Sequence, residues 1–395
     1  MKCRTFLKNT AGLGALAVLL WALSGSHVYA ADQDDDKGNN DKGNDAIRVG
    51  VITERNGPHL GIYLNSLAAC KGITQVALSD ESGSEFKRAR RTLGKAFPEV
   101  PTYRSPATMI EEFKPNLVIV VLPAHLSPAP IRLTLEAGSH VLTEKPGCVR
   151  VEQFEALVKL ARSKKLQLML SLPSRVSPRS LRAREIIEQG FLGKLYAVHV
   201  LTVKDQARLR SPGYQKSWFA FKDKAGGGHL IWLGIHSMDQ LHFITSDRVE
   251  KITAFCRNVG GQPVEIEDAE ALALQFKSGM VGTFHGGYYL QGGSRQSGLT
   301  IWGSQGWLRI SAHRGPEGST SSFQWYSTHA KAPKGVQTEN PTSKVGGYQA
   351  FVQAAIDTVR GVRPAPLTGE ESLQVLKVIF AAYRSSETGT VQNVR

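Results

Sequence analysis

Two short stretches of this chain carry residue types that could do chemistry. The first is Glu144-Lys145-Pro146, an acid, a base and an imide at the end of the β-rich run His140 to Thr143. If that run is a strand of a parallel sheet, both charges stand at its carboxyl edge, where open α/β sheets hold their ligands. A lysine there can hydrogen-bond a substrate hydroxyl and stabilise a developing alkoxide; the alternative is a salt-bridged strand end. The second stretch is Gly226-Gly-Gly-His229-Leu-Ile-Trp232-Leu-Gly-Ile-His236-Ser-Met-Asp239. His236 and Asp239 are three residues apart and share one helix face, with Trp232 a turn before His236. A histidine so placed can exchange a proton near neutral pH, or it can be a core residue of an apolar helix. His229, His236, His242 and His285 follow no recognised metal-ligand spacing, so no metal is expected.

These side chains need elements that bring them together. Strand-like runs at Ile47 to Ile52, Gln75 to Ser79, Leu117 to Leu122, His140 to Thr143 and Leu166 to Ser171 alternate with helical patterns, among them Glu85 to Phe97, Ser127 to Ala137 and Val151 to Ser163. That alternation predicts an N-terminal, Rossmann-type doubly wound parallel sheet over residues 46–172. After Pro173 the rhythm changes to longer strands, Leu195 to Val203, Val249 to Phe255, Glu270 to Phe276, Met280 to Gly286, Leu299 to Trp302 and Trp307 to Ser311. They predict a C-terminal α+β domain over residues 173–395 with an open, largely antiparallel sheet. Gly315 to Thr342 reads as loop, and helices over Gly347 to Arg360 and Gly369 to Ser385 finish the chain.

With the motifs in this order, the chain resembles the glucose-fructose oxidoreductase, inositol dehydrogenase and MocA (Gfo/Idh/MocA) family. Glu144-Lys145-Pro146 and the run from Gly226 to Asp239 carry the resemblance, supported by Arg175 with Pro178, Gly190-Phe-Leu-Gly193 and Gly303-Ser-Gln-Gly306-Trp-Leu308. The resemblance implies an NAD-dependent oxidoreductase, with NADP less suited, acting on a sugar, cyclitol or glycoside. It implies Lys145 and His236 at the reacting hydroxyl, Asp239 beside them, and Arg175 and Trp232 lining the substrate cleft. A redox-neutral glycoside-cleaving or epimerising enzyme with tightly bound NAD, and a non-catalytic carbohydrate-binding protein, are the alternatives. The chain departs from the family in two places. Thr53, Arg55 and Pro58 stand where the dinucleotide fingerprint has its three glycines, and Trp232 replaces an aspartate that supports the histidine. The implied cofactor contacts are Thr53, Arg55, Asn56, Gly57, Asp80, Leu122, Pro123, His125, Glu144 and Lys145. Asp80 ends the second strand, where an acid binds the adenosine ribose and repels a 2′-phosphate; its alternative role is a helix cap.

The ends and the bulk composition set the context. Lys2, Arg4 and Lys8 precede the apolar run Ala11 to Leu23, and Val28-Tyr29-Ala30 resembles a cleavage site. Residues 1–30 are therefore expected to be a signal peptide, possible in a twin-arginine form with Cys3 in place of the first arginine, and to direct the chain to the periplasm or outside the cell without a stable membrane anchor. Residues 31–45, acidic and nearly without apolar groups, are expected to be a disordered linker. Cleavage would leave Cys70, Cys148 and Cys256, an odd number that precludes a fully paired disulfide set within one chain. The 395-residue chain has a formal net charge of +14. Without a recognition motif this does not indicate nucleic acid, and an anionic sugar or envelope polymer suits it better. A homo-oligomer, dimer or tetramer, is expected from an exposed sheet face.

Overall fold

The computed structural model describes residues 46–395. The expected signal peptide and linker lie outside the described residues. The first sheet consists of β1 (Ile47–Thr53), β2 (Ile73–Ser79), β3 (Thr102–Tyr103), β4 (Leu117–Val121), β5 (His140–Thr143) and β6 (Leu168–Leu170) in the order β3-β2-β1-β4-β5-β6. Every pair in it is parallel. All five residues of β4, Leu-Val-Ile-Val-Val, are buried, as a central strand covered on both faces requires. Strand order reverses between β1 and β4, which makes their carboxyl ends the switch point of the sheet.

The second sheet has nine strands: β7 (Leu195–Asp205), β8 (Val249–Arg257), β9 (Ala269–Phe276), β10 (Val281–Leu290), β11 (Arg295–Gly303), β12 (Gly306–Gly315), β13 (Gly318–Ser327), β14 (Gln337–Glu339) and β15 (Gln392–Asn393). Their order is β14-β13-β12-β11-β7-β10-β9-β8-β15, antiparallel throughout except for the parallel pair β10 and β7. Alternation sets its two faces: in β9, Glu270, Leu272, Leu274 and Phe276 are buried while Ala271, Ala273 and Gln275 are exposed. The helices Leu230–Gly234, a π-helical turn, and Ile235–Thr245 form one continuous rod beside this sheet.

The loop expected over 315–342 is corrected, because it contains β13 and β14. Its Gly, Ser and Thr content hides an amphipathic strand in which Phe323, Trp325 and Ser327 are buried. Tertiary pairing with β12 supplies what composition lacks, and Trp325 Nε1 donates to Glu339 Oε1 of β14 at 2.7 Å. The last long helices return to the first sheet: Gly347–Val359 packs on Leu60–Ala69, and Gly369–Thr388 on Val151–Ser163. Cys70, Cys148 and Cys256 are free thiols.

Candidate active site

β5 delivers its charged residues into the interior rather than to solvent. Glu144 and Lys145 are 1% and 3% exposed, and the Lys145-Pro146 bond is cis. The Lys145 ammonium donates to the Trp232 carbonyl oxygen at 2.8 Å, lies 3.9 Å from Glu144 Oε1, and sits 4.3 Å from the centre of the Trp232 ring. Burial lowers its pKa to about 8; Glu144 opposes the shift and the Arg208 guanidinium adds to it. Glu144 is itself held: Tyr63 donates its hydroxyl to Oε2 at 2.6 Å, and His59 Nδ1 lies 3.2 Å from Oε1.

The glycine run serves backbone packing. A Cβ on Gly228 would fall 1.9 Å from the Glu267 carbonyl oxygen, and Gly226 and Gly227 take φ of 80° and 149°. This close approach lets the Glu267 carboxylate accept from Gly228 N at 2.6 Å and Leu230 N at 3.0 Å, capping the helix that follows, and from the Tyr383 hydroxyl at 2.8 Å. His229 is fully buried with Nδ1 2.5 Å from Glu270 Oε1. It points into the second sheet and does not replace the carboxylate missing at Trp232. The Trp232 indole is 5% exposed, packs on Trp218 and Phe219, and donates Nε1 to the Ala225 carbonyl at 3.1 Å. Its part in the site is played by its ring face and main-chain carbonyl, both of which fix Lys145. His236 is half-buried; burial, then Lys145, His59 and Lys204, hold its pKa well below the usual histidine value, so the imidazole is neutral.

Two further expected site residues, Arg175 and Asp239, are paired with each other. Arg175 Nε donates to both oxygens of Asp239 at 2.8 and 3.1 Å, and its Nη1 donates to Glu371 Oε1 at 2.7 Å. Arg175 is thus committed to an internal ion pair and not presented to a substrate. Asp239 is completely buried in the same pair and turned to the arginine; burial pushes its pKa up to about 6 while Arg175 pulls it back. His236 and Asp239 share the regular helix Ile235–Thr245, and their spacing did not reveal that Asp239 is taken up by Arg175.

At the switch point, the β1 turn keeps a tight shape without the glycine fingerprint. Asn56 and His59 occupy the left-handed region with φ of 59° and 63°, and Arg55 is exposed. Gly57 is needed for contact with the sheet, since a Cβ there would lie 2.3 Å from Thr53 Oγ1 and 2.7 Å from the Val121 carbonyl oxygen. Thr53 is buried and donates to that same carbonyl at 3.1 Å, so it closes β1 against β4 instead of facing a ligand. Asp80 accepts from Ser82 N and Glu85 N at 3.0 and 2.9 Å and from the Ser82 and Ser84 hydroxyls at 2.8 and 3.2 Å. The backbone bonds make it a loop cap; the two serine hydroxyls are the groups that ribose hydroxyls could replace. Leu122 and Pro123 are buried behind the turn, while His125 Nδ1 lies 3.2 Å from the Lys224 carbonyl oxygen. The left-handed turn, the helix that begins at Leu60 and Asp80 fit a dinucleotide lying across the switch point. One group opposes it: Glu85 Oε1 accepts from Asn56 N at 3.1 Å, placing a carboxylate where a pyrophosphate would compete for the same amide.

Four residues of the site were not singled out by the sequence: Tyr63, His59, Glu267 and Glu270. Glu270 had a legible signal, an acid on the buried parity of an alternating strand. Glu267 precedes the strand and had none.

Fold and site together are those of an oxidoreductase of the NAD-binding Rossmann class. Residues 49–172 match the family described as "Oxidoreductase family, NAD-binding Rossmann fold" and residues 180–309 the "GFO/IDH/MocA C-terminal domain", together well over half of the chain. The chain belongs to the Gfo/Idh/MocA family of sugar and cyclitol oxidoreductases. It is similar to D-glucoside 3-dehydrogenase of Escherichia coli, 25% identical over 320 residues that cover 76% of this chain and 85% of that one. It is also similar to 1,5-anhydro-D-fructose reductase of Ensifer adhaerens, 22% identical over 262 residues, 66% of this chain and 74% of the relative. The WlbA dehydrogenase of Bordetella pertussis, solved in complex with NADH and UDP-GlcNAcA, has a TM-score of 0.72 at 20% identity over 88% of this chain and 98% of that one, a likeness of fold.

Proposed function

We propose that this chain is an NAD-dependent oxidoreductase acting on a hydroxyl of a sugar, cyclitol or glycoside, with Lys145 and His236 at the reacting group. The observation that carries this reading is the buried Lys145 ammonium, fixed by the Trp232 carbonyl and close enough to His236 to help keep that imidazole neutral. Lys145 donates a hydrogen bond to the hydroxyl and stabilises the alkoxide as it forms. His236, uncharged, accepts the hydroxyl proton on a ring nitrogen. When bound, NAD supplies the acceptor for the hydride. Asp80 and the turn from Arg55 to His59 would hold it, and Glu144 stays bound to Tyr63. The pKa of Glu54 is raised by burial, then by Asp80 and Glu81, so negative charge is concentrated at the adenosine end and disfavours the 2′-phosphate of NADP.

Export to the periplasm or beyond is part of the reading and is supported by the sequence of residues 1–30. Free cofactor is scarce there, which favours a tightly held NAD and a redox-neutral cycle. A homo-oligomer is supported by Phe255, Val281 and Trp302, exposed along the outer face of the second sheet, and light scattering tests it. A non-catalytic carbohydrate-binding protein has one observation in its favour, the Glu85 carboxylate in the phosphate turn.

Mass spectrometry and absorbance of the denatured supernatant separate these readings. Stoichiometric NAD or NADH, followed by sugar oxidation that Lys145→Met slows by about 10²- to 10³-fold, supports the enzyme. No nucleotide, together with no heat on titration with NAD or NADP, removes the dehydrogenase and leaves carbohydrate binding.

A further inference from the structure

A cavity of about 500 Å³, a size that suits one or two sugar rings, is lined by Leu233, Lys204, Arg208, Arg295 and Arg314 among others. Its position follows from the chain. Leu233, which lines it, is the residue after Trp232, whose carbonyl holds Lys145. On β7, Thr202 bonds Ser237, the neighbour of His236, at 2.8 Å, and Lys204 stands two residues further along the same strand face.

The wall of this cavity is unusually positive. Lys204 of β7 pairs in register with Arg295 of β11, and Arg295 with Arg314 of β12, so three cations stand in a row across adjacent strands. Like charges directly opposite each other destabilise a sheet, and neighbouring carboxylates normally relieve them. Here none of the three, nor Arg208, joins an ion pair among the described residues. The acid in the lining, Asp205, is spent on main-chain amides, those of Ala207 and Gly293, each at 2.5 Å. Arg208 is held in place: its guanidinium carbon lies 5.0 Å from the Tyr214 ring centre and 5.7 Å from those of Phe219 and Tyr288. The positive field reaches the chemistry, since Arg208 lowers the pKa of Lys145 and Lys204 that of His236.

We propose that this cavity selects an anionic sugar, one bearing a carboxylate or a sulfate, with Arg295, Arg314, Lys204 and Arg208 neutralising the anionic group while a ring hydroxyl meets Lys145 and His236. For the contact with Lys145 and His236 the inference rests on the oxidoreductase reading, and it names the substrate class of the same site. The anion supplies the counter-charge that the cross-strand row lacks, which is why four cations can be kept together at one end of the sheet.

Titration calorimetry of the full chain with D-glucuronate, D-glucose 6-sulfate and D-glucose tests it. Both anionic sugars, or one of them, are expected to bind at least about tenfold tighter than D-glucose at low salt, with the preference shrinking at high salt. The two arms tell a carboxylate pocket from a sulfate pocket. Arg295→Gln with Arg314→Gln, two exposed side chains whose removal relieves repulsion, is expected to bring the preference to within about twofold; Lys204→Met provides an independent variant at the other end of the row. D-glucose binding as tightly as both anions, no binding of either anion, or an unchanged preference in the variants overturns the proposal. Its failure is distinct from that of the oxidoreductase reading. Lys145-dependent oxidation of neutral sugars without anion preference removes the anion pocket and leaves the enzyme, whereas anion-selective binding without nucleotide binding does the reverse.

Discussion

Lys145 is a cation taken out of water and kept in one orientation by a carbonyl and an aromatic face, at the cost of its own basicity. The ammonium is needed to stabilise an alkoxide, and with a pKa lowered to about 8 it is lost as pH rises through that value. Turnover is therefore expected to fall on the alkaline side near pH 8. The acidic limb should lie well below 6.5, since His236 must be protonated before it fails as a base. A pH profile of kcat in the wild type checks both limbs, and a rate that climbs through pH 8 would contradict the assigned role. Lys145→Met is expected to lower kcat by about 10²- to 10³-fold, the cost of one transition-state hydrogen-bond donor, with a smaller effect on KM.

At the scale of elements, two loops determine what the residues can do. In the β1 turn, Glu85 competes with phosphate for the Asn56 amide. Glu85→Gln removes a like charge worth about 1 kcal/mol in such a setting, so NAD affinity is expected to rise about fivefold by calorimetry. An unchanged or weaker affinity would mean that the turn does not hold the cofactor. In the second loop, Glu267 caps the helix that carries Trp232 and His236. Burial, then Glu270, raises its pKa to about 7 from 4.5, so the folded state holds an extra proton between those values. The stability this contributes is complete below about 4.5 and lost as pH rises through about 7. Glu267→Gln is expected to flatten that part of the stability profile in denaturant titrations. It should also destabilise the protein by about 1–3 kcal/mol, because an amide replaces a carboxylate that accepts from two backbone amides and a tyrosine.

For the whole molecule, Arg175 joins three separate parts of the chain. It lies just after β6, and its partners Asp239 and Glu371 belong to the helix of His236 and to the helix Gly369–Thr388 that returns to the first sheet. Arg175→Ala leaves Asp239 buried and unpaired and is expected to cost about 3–5 kcal/mol, read from chemical denaturation. The double variant Arg175→Met with Asp239→Leu should recover most of that loss, whereas a substrate-binding arginine would show itself in KM with stability unchanged.

Periodicity was enough to read the parallel sheet, because strands such as Leu117–Val121 are apolar throughout and the helices between them are long enough to leave a repeat. Local motifs singled out Lys145 and His236, the residues proposed for the reacting hydroxyl, because one follows a strand end and the other a glycine run. The sequence also carried the basic charge, but not its arrangement: Lys204 lies far along the chain from the hairpin that holds Arg295 and Arg314, and the three become neighbours only through strand register. The same holds for β13, whose polar composition conceals a strand until β12 pairs with it. Asp80, Asp239 and Arg175 carry ambiguous side chains, since a carboxylate or guanidinium serves a ligand or a neighbour equally well. What decides between those roles is which partner lies within hydrogen-bond reach: for Asp80 the partners come from its own loop, whereas for Arg175 and Asp239 they are set by packing between segments distant in sequence.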